Sequence, residues 1–494
     1  IKEALKNQKQ VCVLIPEILL INRFKTDLRS YFGDNVACFH SRLLSFERYE
    51  NWRKVKEGKL SIALGTRSAV FAPLKNLGLI IVDEEHDPSY KQEDLNPRYH
   101  ARDVAIKRGE TEGGVIILGS ATPSLESFYN AREGKYVLCR LKEMEKPNTQ
   151  LEIVNMHQER KEGNFSPFSR KLSHLMEEKL SKKEKVALFL NRRGFSKVVK
   201  CQDCGFVYRC PNCNISLTFH QIDLYLRCHF CNFKTRAGAT CPQCQGHNFS
   251  YAGVGTERIN QEIKTKFPWA SIIRMDLDAV SSKDTYQRIS EGYKKEDFDL
   301  ILGTQMITRE WDLPEVGLVG VISADFSLDF PDFRSREKTF QLLTQVFKMA
   351  REKGEILIQT SHPEDWSIKL ASQGDFLRFY ELEIKNREEL NYPPFSHLIL
   401  ILFSGIDKKM VIGFSRRFAS KLKKKSESDK NMEILGPAPA PLFRIRGKHR
   451  YQILLKTQKP EEAVELIDAV SQMKSLKKSS SVRITINVDP MEMM

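Results

Sequence analysis

The sequence predicts an α/β protein with two lobes built on parallel sheets, a metal-binding insertion and a smaller C-terminal α+β domain. Three observations support this fold class. Apolar runs of strand length lead into polar loops in two successive sets, eight of the eleven cysteines lie between Cys201 and Cys244, and the pattern changes after Thr360. At 494 residues the chain exceeds one ordinary core, so several domains are expected.

The first set of apolar runs predicts the first lobe. Its members are VCVLIP, LSIALGT, LGLIIVDEEH and GVIILGSATPS. Continuous apolar runs are typical of parallel strands that are buried on both faces. Ligands of such sheets bind at the carboxyl ends of the strands, where these sequences become polar.

The second set of runs predicts a similar lobe that is interrupted by the cysteine segment, residues 201–244. Its members are KVALFLNRRG, ASIIRMDLD, FDLILGTQMI, VGLVGVISAD and GEILIQT. The later runs HLILILFSG, GPAPAP, YQILLK and VRITINVDP favour a separate α+β domain. The predicted boundaries are therefore 1–150, 151–372 and 373–494.

Composition and charge narrow the class of protein. Apolar residues make up 41% and charged residues 29%, a balance that excludes wholesale disorder. Lysine and arginine exceed the acidic residues by 78 to 63, which gives a net charge of +15 and favours a nucleic acid partner, although a basic surface can also be merely solvated. No apolar run approaches 18 residues and no secretory signal opens the chain, so we expect no membrane partner and a cytoplasmic location.

The cysteine segment has the pattern C-x2-C-x5-C-x2-C-x14-C-x2-C-x9-C-x2-C. Eight thiolates in four pairs fit two closed tetrahedral sites, and structural zinc is the metal that such sites usually hold. A four-cysteine site can also hold an iron–sulfur cluster. We expect His220, His229 and His247 to lie outside the ligand sets. The four middle cysteines flank a hairpin-like segment and are one natural site, which leaves the four outer cysteines for a second site. The inner site would consist of Cys210, Cys213, Cys228 and Cys231. The outer site would consist of Cys201, Cys204, Cys241 and Cys244.

The DEEH segment, residues 83–86, follows an apolar strand and predicts a nucleotide-hydrolysis site. In that chemistry one carboxylate holds Mg²⁺, a second orients or deprotonates the attacking water, and a third group couples the site to its partner lobe. Asp83, Glu84 and His86 suit these roles in that order. The GSATPS sequence at 119–124 ends the next strand, where a coupling motif is expected. Four ordinary strand-end loops are the structural alternative.

With these residues in place, the chain resembles the bacterial primosomal replication-restart helicases of superfamily 2. The resemblance covers the whole chain. It rests on DEEH, DPSYKQEDLNPRYHARD, NRRGF, the eight cysteines, GVGTERI, GTQMI, PDFRSREKTFQLLTQV, YPPF and GPAPAPLFRIRGKHRYQ.

The resemblance implies two RecA-like lobes, the same two zinc sites, and an ATP-dependent 3′→5′ DNA helicase that uses ATP with Mg²⁺. It further implies binding to stalled forks, D-loops and single strands, to single-strand-binding protein, and to primosome proteins that include the replicative helicase loader.

The resemblance also assigns DNA contacts. Residues 89–100 resemble the aromatic loop that couples single-stranded DNA to hydrolysis, with Tyr90 and Tyr99 stacking on bases and Lys91 and Arg98 contacting phosphates. The alternative is that both tyrosines are packing residues. Arg446 lies in a basic loop, residues 444–450, which is either a contact for DNA or single-strand-binding protein or an ordinary solvated turn.

Three departures from the family pattern bear on activity. No G-x-x-x-x-G-K-[ST] motif occurs, and IKEALKNQ resembles the end of a helix that begins upstream, so we expect a truncated chain that does not hydrolyse ATP alone. Glu310 and Trp311 replace Gly and His after GTQMI. Met349 stands where the first arginine after Gln345 is expected, which leaves Arg351 or Lys348 to contact the nucleotide.

These departures leave two functions open. The favoured one is a replication-restart helicase, and the alternative is a fork-binding primosome scaffold with a weak or absent motor. A zinc-ribbon RNA-binding protein is disfavoured by the helicase motifs in their order.

Overall fold

A computed structural model of the chain describes residues 1–141, 150–190, 198–220, 225–250, 256–275, 298–304, 307, 316–426, 431–473 and 481–493. These residues form two compact units. The first comprises Ile1–Val137 together with Asn487–Met493, and the second comprises Leu138–Ile486. The first unit therefore ends before the predicted boundary at 150. It also includes seven residues that the sequence assigned to the C-terminal domain.

The first unit contains a five-stranded parallel sheet in the order β2-β3-β1-β4-β5. Its strands are β1 (Gln10–Leu14), β2 (Val36–Phe39), β3 (Ile62–Gly65), β4 (Leu77–Val82) and β5 (Val115–Leu118). Its helices are α1 (Lys2–Lys6), α2 (Ile21–Phe32), α3 (Ser45–Lys56), α4 (Ala101–Glu112) and α5 (Leu125–Arg132).

The first sheet is covered on both faces in its middle and open at the β5 edge. Val11 and Val13 of β1 enter one apolar cluster while Cys12 and Leu14 enter another, as alternation along a strand requires. Val115 of β5 is 63% exposed. The polar residues 83–86 therefore lie at the carboxyl edge of a sheet that is firmly packed around β1 and β4.

The second unit contains a six-stranded parallel sheet in the order β13-β14-β7-β15-β16-β6. Its strands are β6 (Gln150–Asn155), β7 (Val186–Leu190), β13 (Ile272–Met275), β14 (Leu300–Gly303), β15 (Val316–Ser323) and β16 (Ala350–Thr360). Its helices are α6 (Met156–Lys161), α7 (Arg170–Ser181), α8 (Thr256–Lys266), α9 (Asp325–Leu328), α10 (Ser335–Phe347), α11 (Trp366–Gln373) and α12 (Phe376–Glu389).

The cysteine segment follows β7 and forms short antiparallel strands. One sheet has the order β11-β10-β9 and the other pairs β12 with β8. Their bounds are β8 (Lys200–Cys201), β9 (Thr218–His220), β10 (Tyr225–Arg227), β11 (Lys234–Thr235) and β12 (Phe249–Ser250). With so little regular structure, this segment depends on metal sites for stability.

The C-terminal part of the second unit is an α+β domain, as the sequence predicts. Its four-stranded sheet has the order β18-β19-β17-β20, with β19 antiparallel to both β17 and β18. The elements are β17 (His397–Gly405), α13 (Lys408–Ser426), β18 (Met432–Ile445), β19 (Lys448–Thr457), α14 (Pro460–Ser471) and β20 (Arg483–Val488). Among the described residues, no helix is both long and apolar enough to cross a membrane.

Candidate nucleotide and zinc sites

The loop at residues 83–86 is fixed between the ends of three neighbouring strands. The Asp83 amide donates to the Leu14 carbonyl at the end of β1 (3.0 Å), and the Glu85 amide donates to Gly119 after β5 (3.0 Å). Glu84 has a φ of 44°, a left-handed conformation that turns the chain sharply out of β4. The carboxylates of Asp83 and Glu84 are thereby presented at the edge where ligands of parallel sheets bind.

His86 connects this loop to the predicted coupling motif. Its Nδ1 lies 2.7 Å from the Ser120 Oγ and 3.4 Å from the Glu84 carboxylate. The Ser120 Oγ also accepts a hydrogen bond from the Thr122 amide (3.0 Å). The structure therefore brings DEEH and GSATPS together through one buried imidazole, so a change at one motif can reach the other.

Glu85, for which the sequence predicted no role, is a buried carboxylate with several hydrogen bonds. It is 1% exposed and accepts hydrogen bonds from the Ser124 amide (2.6 Å), the Ser127 hydroxyl (2.8 Å) and Arg102 (3.1 Å). Although burial lowers the pKa of Arg102, Asp103 and Glu85 raise it, and the net shift is upward. Glu85 thus fixes the start of α5. The feature of the sequence that could have indicated this role of Glu85 is Ser124, the residue that caps α5.

The predicted coupling loop, residues 89–100, is anchored at its base and open at its tip. Lys91 and His100 form an antiparallel bridge, and the Gln92 amide donates to the Tyr99 carbonyl (2.8 Å). Arg67 donates to the carbonyls of Ser89 (3.0 Å) and Lys91 (2.7 Å). Residues 94–97 are exposed, so the tip is the part of the loop that solvent reaches.

The structure places the four predicted DNA-contact residues of this loop in different surroundings. Tyr90 is 0% exposed and Lys91 is 5% exposed, so in this structure neither is available to a strand. Burial and nearby carboxylates hold the pKa of Tyr90 far above its ordinary value, and its protonated hydroxyl donates to the Asp83 carbonyl (2.7 Å). Tyr99 is half-buried with its ring edge-on to Phe71, at a centroid distance of 4.9 Å. Arg98 donates to the Glu93 carbonyl within the loop (2.7 Å).

The residues predicted to contact the nucleotide from the second lobe lie near the end of α10. Gln345 is half-buried in the last turn of α10, and Met349 lies just before β16. Arg351 belongs to β16 and forms an ion pair with Glu184. Glu310, Trp311 and the NRRGF segment lie outside the described residues.

The eight cysteines form two groups with the pairing that the sequence favours. Cys201, Cys204, Cys241 and Cys244 make the outer site, and Cys210, Cys213, Cys228 and Cys231 make the inner site. Sulfur atoms on a tetrahedral zinc lie about 3.8 Å apart. The observed separations are 3.7 Å for Cys201–Cys244, 3.4 Å for Cys204–Cys241 and 3.5 Å for Cys210–Cys231.

Histidines near the cysteines have other contacts. The His229 Nδ1 lies 2.7 Å from the Pro439 carbonyl, and the His247 Nδ1 lies 3.1 Å from the Ala239 carbonyl.

Arg446 of the predicted basic loop is exposed in the turn between β18 and β19, with a φ of 47°. The basic loop therefore presents the Arg446 side chain to solvent.

Known protein families match the segments of the chain that contain these sites. Residues 1–130 match the DEAD/DEAH box helicase family, residues 210–236 the PriA DNA helicase Cys-rich region domain, and residues 388–491 the primosomal protein N C-terminal domain. The replication restart protein PriA of Haemophilus influenzae is 33% identical, with 100% of this chain and 67% of that protein covered. The PriA of Rickettsia felis is 34% identical, with 93% of this chain and 71% of that protein covered. The chain belongs to the PriA family.

Other PriA proteins show how much of the family's length this chain represents. The PriA of Bacillus subtilis (strain 168) is 40% identical over 500 residues, which cover 100% of this chain and 62% of that protein. The chain thus spans about three fifths of the length of that relative. Among solved structures, a DUF1998 helicase MrfA bound to DNA and AMPPNP is similar, with a TM-score of 0.42, 12% identity, and coverage of 78% of this chain and 45% of that chain.

The cofactors expected from the sequence fit this PriA chain. The two four-cysteine sites fit two structural zinc ions, because all ligands are sulfur and no fifth group from the described residues enters either cluster. The helicase segment fits ATP with Mg²⁺, since adjacent carboxylates at a strand end are hard oxygen ligands of the kind that Mg²⁺ requires.

Proposed function

We propose that this chain carries the motor and C-terminal parts of an ATP-dependent 3′→5′ DNA helicase of replication restart. It acts on stalled forks, D-loops and single strands and initiates primosome assembly. Membership of the PriA family and the intact DEEH segment support this proposal.

Each residue of the segment has a distinct chemical part in hydrolysis. Asp83 would hold the Mg²⁺ that accompanies ATP, and Glu84 would orient or deprotonate the attacking water. Mg²⁺–ATP supplies the phosphoryl group that is transferred. His86 bonds Ser120 and lies 3.4 Å from the Glu84 carboxylate, so it places the two motifs side by side.

The observation that carries the proposal is the link between this site and the coupling loop. The Tyr90 hydroxyl bonds the carbonyl of Asp83, which is the residue assigned to Mg²⁺. A strand that displaces the tip of the loop therefore acts on the hydrolytic segment through one buried side chain. Arg98 and Tyr99, the half-buried residues beside the tip, are the loop's candidates for the DNA contact.

The proposal extends to partners and location. A cationic surface loop that includes Arg446 suits contact with the phosphates of a fork or with single-strand-binding protein. Primosome proteins and the replicative helicase loader are the further partners, and the cytoplasm is the location where replication forks occur.

A second candidate is a scaffold that marks forks and recruits primosome proteins with little hydrolysis of its own. Met349 and the pairing of Arg351 with Glu184 favour it, because an arginine finger accounts for roughly 10³–10⁵ in rate. The two carboxylates at the strand end favour the motor, since a scaffold has no chemical need for them.

The test is ATP hydrolysis and unwinding by the full-length protein, with and without forked DNA. We expect DNA-stimulated turnover that falls at least ~100-fold in Glu84→Gln, as loss of a general base predicts. Glu133→Gln, an exposed change in the same unit, is the control and is expected to behave as wild type. Fork binding without turnover sensitive to Glu84 would establish the scaffold instead.

A further inference from the structure

The last seven described residues are bound to the base of the coupling loop. The Glu93 carboxylate accepts hydrogen bonds from the amides of Met491 (2.8 Å) and Glu492 (3.4 Å) and from the side-chain amide of Asn487. The Lys91 ammonium donates to the carbonyl of Val488. All of these groups belong to the first unit.

The conformation of this segment is suited to receiving a carboxylate. Asp489 has a φ of 47°, a left-handed turn after which the amides of Met491 and Glu492, beyond Pro490, both reach Glu93. Asn487 is 5% exposed and Met493 is 1% exposed, so the segment is packed rather than draped over the surface. We call residues 487–493 the C-terminal strap.

The strap gives the coupling loop a second anchor. The inner anchor consists of Tyr90 on the Asp83 carbonyl and Arg67 on the carbonyls of Ser89 and Lys91. The outer anchor consists of Lys91 and Glu93 on the strap. The exposed tip, residues 94–97, follows Glu93 directly, so the outer anchor stands between the tip and the inner anchor along the chain.

We propose that Glu93 is a positioning residue that attaches the C-terminal strap to the coupling loop, and that this attachment makes hydrolysis depend on DNA. Without DNA, the strap fixes the loop so that Tyr90 holds Asp83 in its resting position. DNA that binds the tip displaces the loop from the strap. Part of the free energy of DNA binding is then used to shift Tyr90 and, with it, the Asp83 backbone. This inference rests on the proposed helicase function.

The experiment compares three variants of the full-length protein. They are Glu93→Ala, a truncation placed directly after Val488 that leaves β20 complete, and the two changes combined. Glu133→Ala, in an exposed position of the first unit, is the matched control. The readouts are ATP turnover with and without single-stranded DNA, the thermal midpoint, and hydrogen exchange of the amides in residues 91–100.

We expect the DNA-free rate to rise and the stimulation by DNA to fall at least ~5-fold in each single variant, within the usual range of coupling between sites. The combined variant should show no greater loss than the larger single one, because both changes remove the bonds of Glu93 to the Met491 and Glu492 amides. Exchange of the loop amides should rise ~10-fold in each single variant while the control stays unchanged, since an anchored loop opens less often than a free one. The thermal midpoint is expected to fall in the truncation, which also removes the buried Met493, and to fall less in Glu93→Ala.

Two outcomes overturn the inference. One is DNA-stimulated turnover with an unaltered stimulation ratio in the variants. The other, which applies even when wild type shows no turnover and the proposed helicase function fails, is unaltered hydrogen exchange of the loop in Glu93→Ala and in the truncation.

Discussion

Each of the four cysteine knuckles ends on a residue in the left-handed conformation. These residues follow the second cysteine of each pair, with φ values between 52° and 78°: Gly205, Asn214, Asn232 and Gln245. In each knuckle the amide of this residue donates to the carbonyl of the first cysteine, at 2.9–3.0 Å. Glycine and asparagine adopt this conformation readily, whereas Gln245 bears roughly 1–2 kcal/mol of backbone strain.

Gly205 has a second constraint, which makes it a sensitive position. A Cβ added there would lie 2.8 Å from the Cβ of Ser361. Gly134 has a nearly equal φ of 76°, but a Cβ added there meets nothing within 4 Å. Alanine substitutions at Gly205 and Gly134 therefore introduce similar backbone strain, but only the substitution at Gly205 also introduces a steric clash.

We therefore predict that Gly205→Ala is more harmful than Gly134→Ala. Both changes incur the left-handed penalty, and Gly205→Ala adds the roughly 1–3 kcal/mol that is typical of overpacking. The measurement is the rate at which zinc passes to a chelator, together with the thermal midpoint. We expect faster loss of one zinc ion in Gly205→Ala only, and equal behaviour of the two variants would contradict the packing argument.

At this scale, sequence reasoning succeeded where the chemistry of a residue is tied to its spacing. Cysteine pairs recur at fixed intervals because each pair must reach one ion, so the ligand sets were predictable. Tyr90 shows the limit. An aromatic residue among charged ones suits either base stacking or a core, and only the packing of β4 against its neighbours shows that this ring is buried.

At the scale of elements, helix α12 carries an unusual buried carboxyl. Glu383 is 0% exposed, and its nearest cation is Arg387, at 3.9 Å, which itself bonds Glu337 at 2.5 Å. Burial raises the pKa of Glu383 to about 7, although Arg387 and Arg336 oppose the shift, and Glu337 and Asp365 add to it.

This raised pKa predicts a pH dependence of stability. The folded state binds the proton of Glu383 more tightly than the unfolded state, whose pKa is near 4.5, so this contribution is full below pH 4.5 and is lost as pH rises through 7. A shift of this size corresponds to roughly 3 kcal/mol at most.

We predict that Glu383→Gln melts at a higher temperature than wild type at pH 8, and that the gap narrows or reverses by pH 5. Glu381→Gln, an exposed change on the same helix, should track wild type throughout. A constant gap between Glu383→Gln and wild type from pH 8 to pH 5 would count against an ionisable Glu383.

Elements were predictable where their apolar pattern was strong. The continuous runs became β1, β4, β7 and β15, because a strand covered on both faces needs apolar residues at every position. β2 and β6, by contrast, were not predicted. β2 has only the short run VACF between polar neighbours, and β6 (QLEIVN) mixes polar with apolar residues, so neither carries a long apolar run.

At the scale of the molecule, tertiary contacts override sequence order. Residues 487–493 follow the C-terminal domain in sequence yet belong to the first unit, because Glu93 and Lys91 bind them. No local sequence pattern in residues 487–493 indicates that they contact the coupling loop. The prediction of a domain from 373 to 494 therefore included them.

The two zinc sites are attached to different parts of the second unit. The inner site contacts the C-terminal domain: Tyr392 donates to the Cys213 carbonyl (3.2 Å) and Gln452 donates to the His229 carbonyl (2.9 Å). The outer site contacts the ends of the parallel sheet, where Lys200 forms an ion pair with Asp325. Loss of one ion should therefore loosen only the part to which its site is attached.

We predict that Cys213→Ser and Cys241→Ser each leave one zinc ion per chain in place of two. The two variants should loosen different parts of the second unit. The first should increase hydrogen exchange in β17 and β19, because Tyr392 and Gln452 lose ordered partners. The second should increase exchange at the ends of β15 and β16, next to Asp325 and Ser361. Each variant is the control for the other, with metal content and exchange measured on the same samples. If both variants loosen the same strands, the two sites form one structural element, and the separate attachment inferred from the contacts is wrong.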